Sequence, residues 1–448
     1  MADERAAQEY EQVAAQIMAR RPEDDIDPTI ERVREVCELL GDPHLAYRVV
    51  HVTGTNGKTS TSRMAERLLR EHGLRTGRFT SPHLTRVTER IAIDGEPITD
   101  QRFVEVWRDV EPYVEIVDAR WLERGGPRLS SYEVLTVMAF AAFADAPVDV
   151  AVVEVGMGGR WDSTNVVASQ VQVIAPVALD HERFLGHSLV EIAGEKAGII
   201  EEGGTVVVAR QAEDVEGVIL AEAAAKGARV VREDVDIAVV ERTLAVGGQL
   251  LTLRGLGGVY ADVYLPLHGE HQAHNALLAL VATEALLTGG AALTGEVVEA
   301  AFADVTSPGR LEVVRSSPTV LVDGAHNPNG TQALVSALEE AFAFTRVVGV
   351  FAVMNDKDAE AMLGLLEPVL AEVVVTHAAT ARSMDVDELE QIAQDVFGPD
   401  RVHRAERLDE AVALAVERAE SEVERGAGVV VTGSLYLVAE ARVLLGRA

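Results

Sequence analysis

The chain has 448 residues, 48% hydrophobic and 25% charged, a globular composition with room for two or three domains. Its formal net charge of −32 makes a field that repels phosphate backbones and speaks against nucleic acid as a partner. Cys37 is the single cysteine, which excludes an intrachain disulfide and a cysteine metal cluster, and no run of about 18 apolar residues is available to span a membrane. The opening Met1-Ala2-Asp3-Glu4-Arg5 is polar and has no apolar leader core, so a cytoplasmic location is expected.

Residues 1–28 read as an amphipathic helix followed by a loop at 22–28. Ile30, Val33, Cys37 and Leu40 recur at helical spacing, which puts the Cys37 thiol on a buried face. The apolar run Val49-Val50-His51-Val52 predicts a strand leading into Thr53-Gly54-Thr55-Asn56-Gly57-Lys58-Thr59-Ser60. Beyond it Met64, Ala65, Leu68 and Leu69 share a helical face, and Gly73 supplies a stop. Strand, glycine turn and helix N-terminus together make an anion site, where converging N–H groups meet roughly half a positive charge from the helix dipole. Gly54 and Gly57 permit close approach, Lys58 reaches the outer phosphates, and Thr59 offers its hydroxyl to Mg²⁺. Only Thr55 and Asn56 separate Gly54 from Gly57-Lys58-Thr59, so a nucleoside triphosphate is expected in a loop shorter than the common one.

Runs at 148–155, 171–179 and 205–209 predict strands alternating with helices, hence βαβ units and a largely parallel sheet. From 230 to 265 glycine-punctuated short strands predict a small antiparallel insertion. A helix from about Glu270, with Ala273, Leu277, Leu280, Val281 and Ala285 near one face, ends at Gly289-Gly290. Ser307-Pro308-Gly309 marks a boundary, and strands at 319–322, 346–351, 373–376 and 428–432 alternate with helices beyond it. The expected organisation is an α/β phosphate-loop-type domain over 1–303, with a mostly parallel sheet and the small antiparallel insertion. A linker over 304–311 and a Rossmann-like α/β domain over 312–448 follow.

Two strand ends carry polar groups where open α/β sheets place their sites. Glu154 closes one run and leads into Gly156-Met157-Gly158-Gly159, which leaves room for a ligand; such a carboxylate holds Mg²⁺ or is a plain surface residue. Asp180-His181 closes the next. Mg²⁺ prefers oxygen, so on residues alone a hydrogen-bonded structural histidine is the plainer reading of His181. Ser188-Leu-Val-Glu191 is a capping box opening the helix that contains Lys196. Beside Ala193, Ala197, Ile199 and Ile200 that lysine either snorkels from an apolar face or serves a site. Further on, Asp323 ends Val320-Leu321-Val322 before Gly324-Ala-His-Asn-Pro328, which suits contact with a nucleotide and suits a turn equally. Arg310 offers a bidentate guanidinium to phosphate or caps the linker.

In their order, these segments resemble the folylpolyglutamate synthase/dihydrofolate synthase family of the ATP-dependent Mur ligases over nearly the whole chain. The resemblance runs through Leu39-Leu-Gly-Asp-Pro-His44, His51 to Thr59, Thr80-Ser-Pro-His-Leu84, Glu154 to Arg160, Leu179-Asp-His181, Glu195-Lys-Ala-Gly-Ile199, His268-Gly-Glu-His-Gln272, Pro308-Gly-Arg310 and Asp323 to Pro328. The short loop marks the superfamily, while Thr80 to Leu84 and Asp323 to Pro328 point to the folate branch. The resemblance implies that Asn56, Gly57, Lys58 and Thr59 cradle the ATP phosphates. It also implies Ser81, Glu154 and His181 as Mg²⁺ ligands, with two Mg²⁺ sites in all. Lys196 matches a lysine carried in carboxylated form near the second Mg²⁺, an anion in place of a cation. Asn275, Arg310 and Asp323 are implied to hold the nucleotide, and Lys58, Lys196, His181, Asp323 and His326 to form the catalytic set. Ser81, Pro82, His83, Leu129, Ser130, Ser131, Tyr132, Trp161, Asp162 and Ser163 are implied to line the substrate pocket. Thr59 stands where many bacterial members have glycine.

The implied reaction adds L-glutamate to dihydropteroate, to (poly)glutamylated tetrahydrofolate, or to both. A carboxylate is a poor electrophile, so ATP converts it to an acyl phosphate, with Lys58 and Mg²⁺ spreading the developing charge. The glutamate amine then displaces phosphate. Small molecules are the expected partners of a monomer, with no nucleic acid and no membrane. A Mur-type peptidoglycan amino-acid ligase would use the same chemistry on another substrate, and Thr80 to Leu84 disfavours it. An ATP-driven switch without ligase chemistry would not need Glu154, His181, Lys196 and Asp323 together.

Overall fold

The computed structural model describes residues 2–22, 25, 27–421 and 426–447; of the expected loop at 22–28, residues 23, 24 and 26 lie outside them. Two compact units form. One takes Met1–Thr243, Leu250–Leu265 and Ala273–Val305, and the other takes Leu244–Gln249, Pro266–Gln272 and Thr306–Ala448. Two short segments, 244–249 and 266–272, therefore group with the C-terminal residues rather than with their sequence neighbours.

The first unit is built on an eight-stranded sheet. Its strands are β1 (Arg48–Thr53), β2 (Thr76–Phe79), β3 (Ile91–Ile93), β4 (Glu96–Pro97), β5 (Val150–Glu154), β6 (Val171–Ile174), β7 (Thr205–Val208) and β8 (Arg229–Arg232). They lie in the order β4-β3-β2-β5-β1-β6-β7-β8. The six strands from β2 to β8 in that order pair in parallel, with β3 and β4 antiparallel at one edge. β5 reads Val-Ala-Val-Val-Glu and is buried throughout, the unbroken apolar run of a strand covered on both faces. Val49, Ala151 and Val153 pack in one cluster with Phe103, Trp107, Phe140 and Phe143. A second cluster joins Ile174, Val206 and Val208 to Ala193, Ala197 and Ile200. β9 (Ala238–Ala245), β10 (Gly248–Arg254) and β11 (Val259–Leu265) form the three-stranded insertion.

The C-terminal sheet contains β12 (Glu312–Ser316), β13 (Thr319–Val322), β14 (Arg346–Phe351), β15 (Glu372–Val375), β16 (Val402–Arg404) and β17 (Ala427–Thr432), ordered β12-β13-β17-β14-β15-β16. All pairs are parallel except β12 with β13. Leu321, Phe351, Val373 and Val375 pack there against Leu334, Leu338, Leu363 and Leu366.

The expected α/β class with a mostly parallel sheet, a small antiparallel sheet and a second α/β unit is what the chain adopts. Some elements differ. The strand expected over 171–179 ends at Ile174, because Pro176 cannot donate to the ladder; residues 175–181 become a loop with Leu179 at 46% exposure. Val230 belongs to β8 in the large sheet and not to the insertion. The Ser188 capping box closes as expected, the hydroxyl accepting the Glu191 N–H and the Glu191 carboxylate accepting the Ser188 N–H. Among the described residues no helix is long and apolar enough to cross a membrane.

Candidate active site

β5, β1 and β6 are adjacent and parallel, so the loops at 54–57, 155–162 and 175–181 leave the sheet side by side. Gly54 has φ +147°, and a Cβ on it would lie 2.6 Å from the Ala175 Cβ. The 54–57 loop is tied to the 175–181 loop by Thr55, whose N–H donates to Pro176 O at 2.8 Å and whose hydroxyl donates to Ala178 O at 3.0 Å. Gly57, with φ +89°, is the N-cap of the helix Lys58–Glu71 and, having no side chain, cannot cap that end itself. This is the geometry in which an anion takes the place of a cap. Asn275 is buried against the loop, its Oδ1 only 2.4 Å from where a Gly57 Cβ would stand.

Lys58 Nζ donates to the carbonyls of Gly54 and Thr55, at 3.0 and 3.1 Å. Lys196 Nζ donates to that same Gly54 carbonyl at 2.8 Å. With 4% exposure Lys196 does not snorkel. Burial and then the charge of Lys58 lower its pKa to about 7, against the opposing pull of Asp180 and Asp162. Gly159 packs directly on the Glu195 and Lys196 carbonyls, so the turn after β5 abuts the helix Leu189–Ala197 that carries this lysine.

Thr59 Oγ1 donates to Glu154 Oε1 at 2.8 Å. Among the described residues no group of three or more His, Cys, Asp or Glu side chains could hold a metal on its own. The Thr59 and Glu154 oxygens nevertheless fit Mg²⁺, a hard cation commonly held by one carboxylate, water and substrate phosphates. His181 is partly exposed at φ 52°, and its backbone N–H donates to Asp180 Oδ1 at 2.8 Å. Ser81, two residues beyond β2, is partly exposed.

Pro82 is exposed, and His83 Nδ1 accepts from Arg90 Nε at 2.9 Å. Leu129, Ser130 and Ser131 are buried in the start of the helix Ser131–Asp145. The Ser130 hydroxyl caps Glu133 N–H, Leu129 N–H donates to Asp118, and Ser131 N–H donates to Arg21 O. Tyr132 reaches the 155–163 turn, its hydroxyl donating to Asp162 Oδ1 at 3.2 Å. Asp162 also accepts from Met157 N–H and Thr164; burial raises its carboxyl while these bonds oppose the rise. Ser163 is buried, and Trp161 is partly exposed beside Gly158.

In the C-terminal unit Asp323 follows β13 and accepts Leu311 N–H and Ala325 N–H, each at 2.8 Å. Burial raises its carboxyl, and Arg310 is the first influence against that. A Cβ on Gly324 would lie 2.2 Å from Arg310 Nη1, so the guanidinium lies across that backbone. The His326 Nδ1–H donates to Gly324 O at 2.8 Å. Arg310, Asp323 and His326 thus share one turn, whereas Asn275 groups with the phosphate-type loop.

Sequence reasoning passed over Thr55 and Arg63. Thr55 bonds residues more than a hundred positions away and left no local signal. Arg63 had one, its spacing of four from Thr59 along the helix.

Comparison with known proteins adds to this geometry. Residues 309–435 match the Mur ligase glutamate ligase domain. The dihydrofolate synthase/folylpolyglutamate synthase of Mycobacterium tuberculosis is 50% identical, over 96% of this chain and 92% of that protein. The structure of the folylpolyglutamate synthase of Mycobacterium tuberculosis complexed with ADP and AMPPCP superposes with a TM-score of 0.94 at 49% identity, covering 99% of both chains. An FPGS–AMPPCP–folate complex superposes with a TM-score of 0.83 at 32% identity, over 97% of this chain and 99% of that one.

Proposed function

Because the chain belongs to the folylpolyglutamate synthase/dihydrofolate synthase family of the Mur ligases, an ATP-dependent ligase that joins glutamate to folates, we propose how its residues divide that work. The similarity to peptidoglycan ligases is one of superfamily only, and that alternative is set aside.

Asn56, Gly57, Lys58 and Thr59 hold the ATP phosphates, with Asn275 supporting the loop from behind. The observation that carries this is the Thr59–Glu154 contact beside a helix start whose N-cap is glycine, which sets a hydroxyl and a carboxylate where phosphate oxygens arrive. Glu154, Ser81 and His181 are the protein ligands for Mg²⁺, at two sites in all. When bound, Mg²⁺ supplies positive charge against the oxygens of the transferring phosphoryl group. Lys58 adds its ammonium from the loop, and the acceptor carboxylate attacks the γ-phosphorus to give an acyl phosphate and ADP. The glutamate amine then attacks the acyl carbon and expels phosphate.

Lys196 acts as a carboxylated side chain. Its pKa of about 7 supports this, since only a neutral amine adds to CO₂. Arg310 in the linker over 304–311, with Asp323 and His326 in a glutamate-ligase domain over 312–448, are the nucleotide and catalytic residues of the C-terminal unit. Ser81, Pro82 and His83, with Leu129 to Tyr132 and Trp161 to Ser163, line the acceptor pocket, Tyr132 and Asp162 being the pair in contact. The enzyme accepts both dihydropteroate and tetrahydrofolate, works as a monomer in the cytoplasm, and takes no nucleic-acid partner. ADP release in the presence of glutamate, measured with each acceptor in turn, tests the reading. Turnover independent of both acceptors would overturn it.

A further inference from the structure

Arg63 lies four residues beyond Thr59 on the helix Lys58–Glu71, so the two side chains leave on one face. It is partly buried. The charged groups that bear on it are Arg78 on β2 and the carboxylates of Glu66, Glu89 and Glu154. Each carboxylate has other business. Glu66 pairs with Arg78 at 2.9 Å and accepts from Thr76, and Glu89 accepts the N–H groups of Leu84, Thr85 and Arg86. Glu154 accepts from Thr59. Among the described residues none of the three forms an ion pair with Arg63.

A guanidinium partly withdrawn from water without a carboxylate partner is costly, and such costs are kept where a ligand supplies the missing anion. Burial lowers the Arg63 pKa to about 9, which still leaves a cation at neutral pH. The ATP phosphates are served at the helix start by backbone N–H groups and Lys58. Arg63 is about 6 Å further along the helix, within electrostatic reach of Glu89, Glu66 and Glu154.

We propose that Arg63 binds the carboxylate of the acceptor substrate, holding it against the Thr59–Glu154 pair for phosphoryl transfer. The guanidinium grips both carboxylate oxygens and orients one towards the γ-phosphorus. This rests on the ligase reading given above.

The test uses the full chain with Arg63→Gln and Arg63→Lys, followed by ADP release. The acceptor KM should rise about 10- to 100-fold in Arg63→Gln and less in Arg63→Lys, while the ATP KM stays within about 2-fold. An acceptor analogue with a carboxamide in place of the carboxylate should bind the wild type more weakly than the acid does, and should bind Arg63→Gln equally well. If Arg63→Gln does not fold, as judged by its melting temperature, Arg63→Lys carries the same comparison. A rise in ATP KM with the acceptor KM unchanged would make phosphate its ligand and overturn the assignment. Unchanged KM values for both would leave a structural cation and overturn it too. Wild-type turnover that ignores the acceptor would overturn the ligase reading itself.

Discussion

The ammonium groups of Lys58 and Lys196 converge on one acceptor, the Gly54 carbonyl, at 3.0 and 2.8 Å. Burial first, and then the neighbouring Lys58 charge, lowers the Lys196 pKa to about 7. The neutral fraction of an amine grows as pH rises through its pKa, so capture of CO₂ by Lys196 should speed up through about pH 7. Enzyme freed of CO₂ should lose activity and regain it with bicarbonate, faster at pH 8 than at pH 6. Lys196→Arg should not respond. ¹³C-bicarbonate should give a carbamate NMR signal in the wild type alone. Activity indifferent to CO₂ removal would rule the modification out.

The Thr59–Glu154 contact predicts a separable metal defect. Glu154→Gln keeps the size and the acceptor for the Thr59 hydroxyl but removes the negative charge. kcat should fall about 10²- to 10³-fold, as when a single preorganised electrostatic group is removed. In the wild type Mg²⁺ should tighten ADP binding, measured by calorimetry, and in Glu154→Gln it should not. Equal tightening in both proteins would place the cation elsewhere.

Much of this arrangement is written in local patterns. The 53–60 loop announces itself because strand, glycines, lysine and helix are contiguous, and the Ser188 box because its two residues are three apart. Features set by distant partners are not. The reach of β6 depended on one proline at 176, and the sheet to which β8 belongs depended on pairing with β7. The short strands β12 and β16 gain their stability from neighbours and not from their own composition. Lys196 was ambiguous because an apolar helix face accommodates either a snorkelling or a buried lysine. Only its reach to Gly54, across the top of the sheet, distinguishes the two. Arg63 shows a charged residue at helical spacing, but the prior engagement of its carboxylate neighbours is a three-dimensional fact.

Gly54 and Gly41 offer a controlled comparison. Both have positive φ, +147° and +80°, yet a Cβ at Gly41 meets nothing within 4 Å while one at Gly54 meets Ala175 at 2.6 Å. Gly41→Ala should cost only the left-handed backbone, about 1 kcal/mol, and leave ADP affinity unchanged. Gly54→Ala should add about 1–3 kcal/mol of overpacking and push the loop away from the sheet. Its ADP affinity should fall by about 10-fold or more, read by the same titration beside urea unfolding. Matching losses for the two variants would mean that contact with Ala175 does not set the loop.

Asp323 is read from its two backbone bonds. Asp323→Ala strands the N–H groups of Leu311 and Ala325 in a buried turn, at about 1–3 kcal/mol for an unsatisfied group. Asp323→Asn keeps one acceptor oxygen and should recover part of that stability. If the charge itself serves the reaction beside Arg310, both variants should lose kcat alike even though their urea midpoints differ. Activity that tracked stability across the pair would reduce Asp323 to a turn-former.

His51, on β1, ties the strand to the segment that holds Asp162 and Thr164. Its Nε2 lies 2.9 Å from Thr164 Oγ1, which in turn donates to Asp162 Oδ1 at 2.5 Å, so Nε2 carries the proton and donates. Burial alone pushes the ring to about 3 from its ordinary 6.5. Below pH 6.5 the unfolded chain takes up a proton that the folded ring refuses. Stability should therefore fall as pH drops from 6.5 towards 3, and this group should change nothing above 7. At about 1.4 kcal/mol per pH unit, the loss by pH 5 is about 2 kcal/mol. His51→Gln retains a donor without titrating. Its urea-derived stability should drop less between pH 7 and pH 5 than that of the wild type, by about that amount. Identical drops would mean that the folded ring takes up the proton after all, with Nε2 still the donor to Thr164.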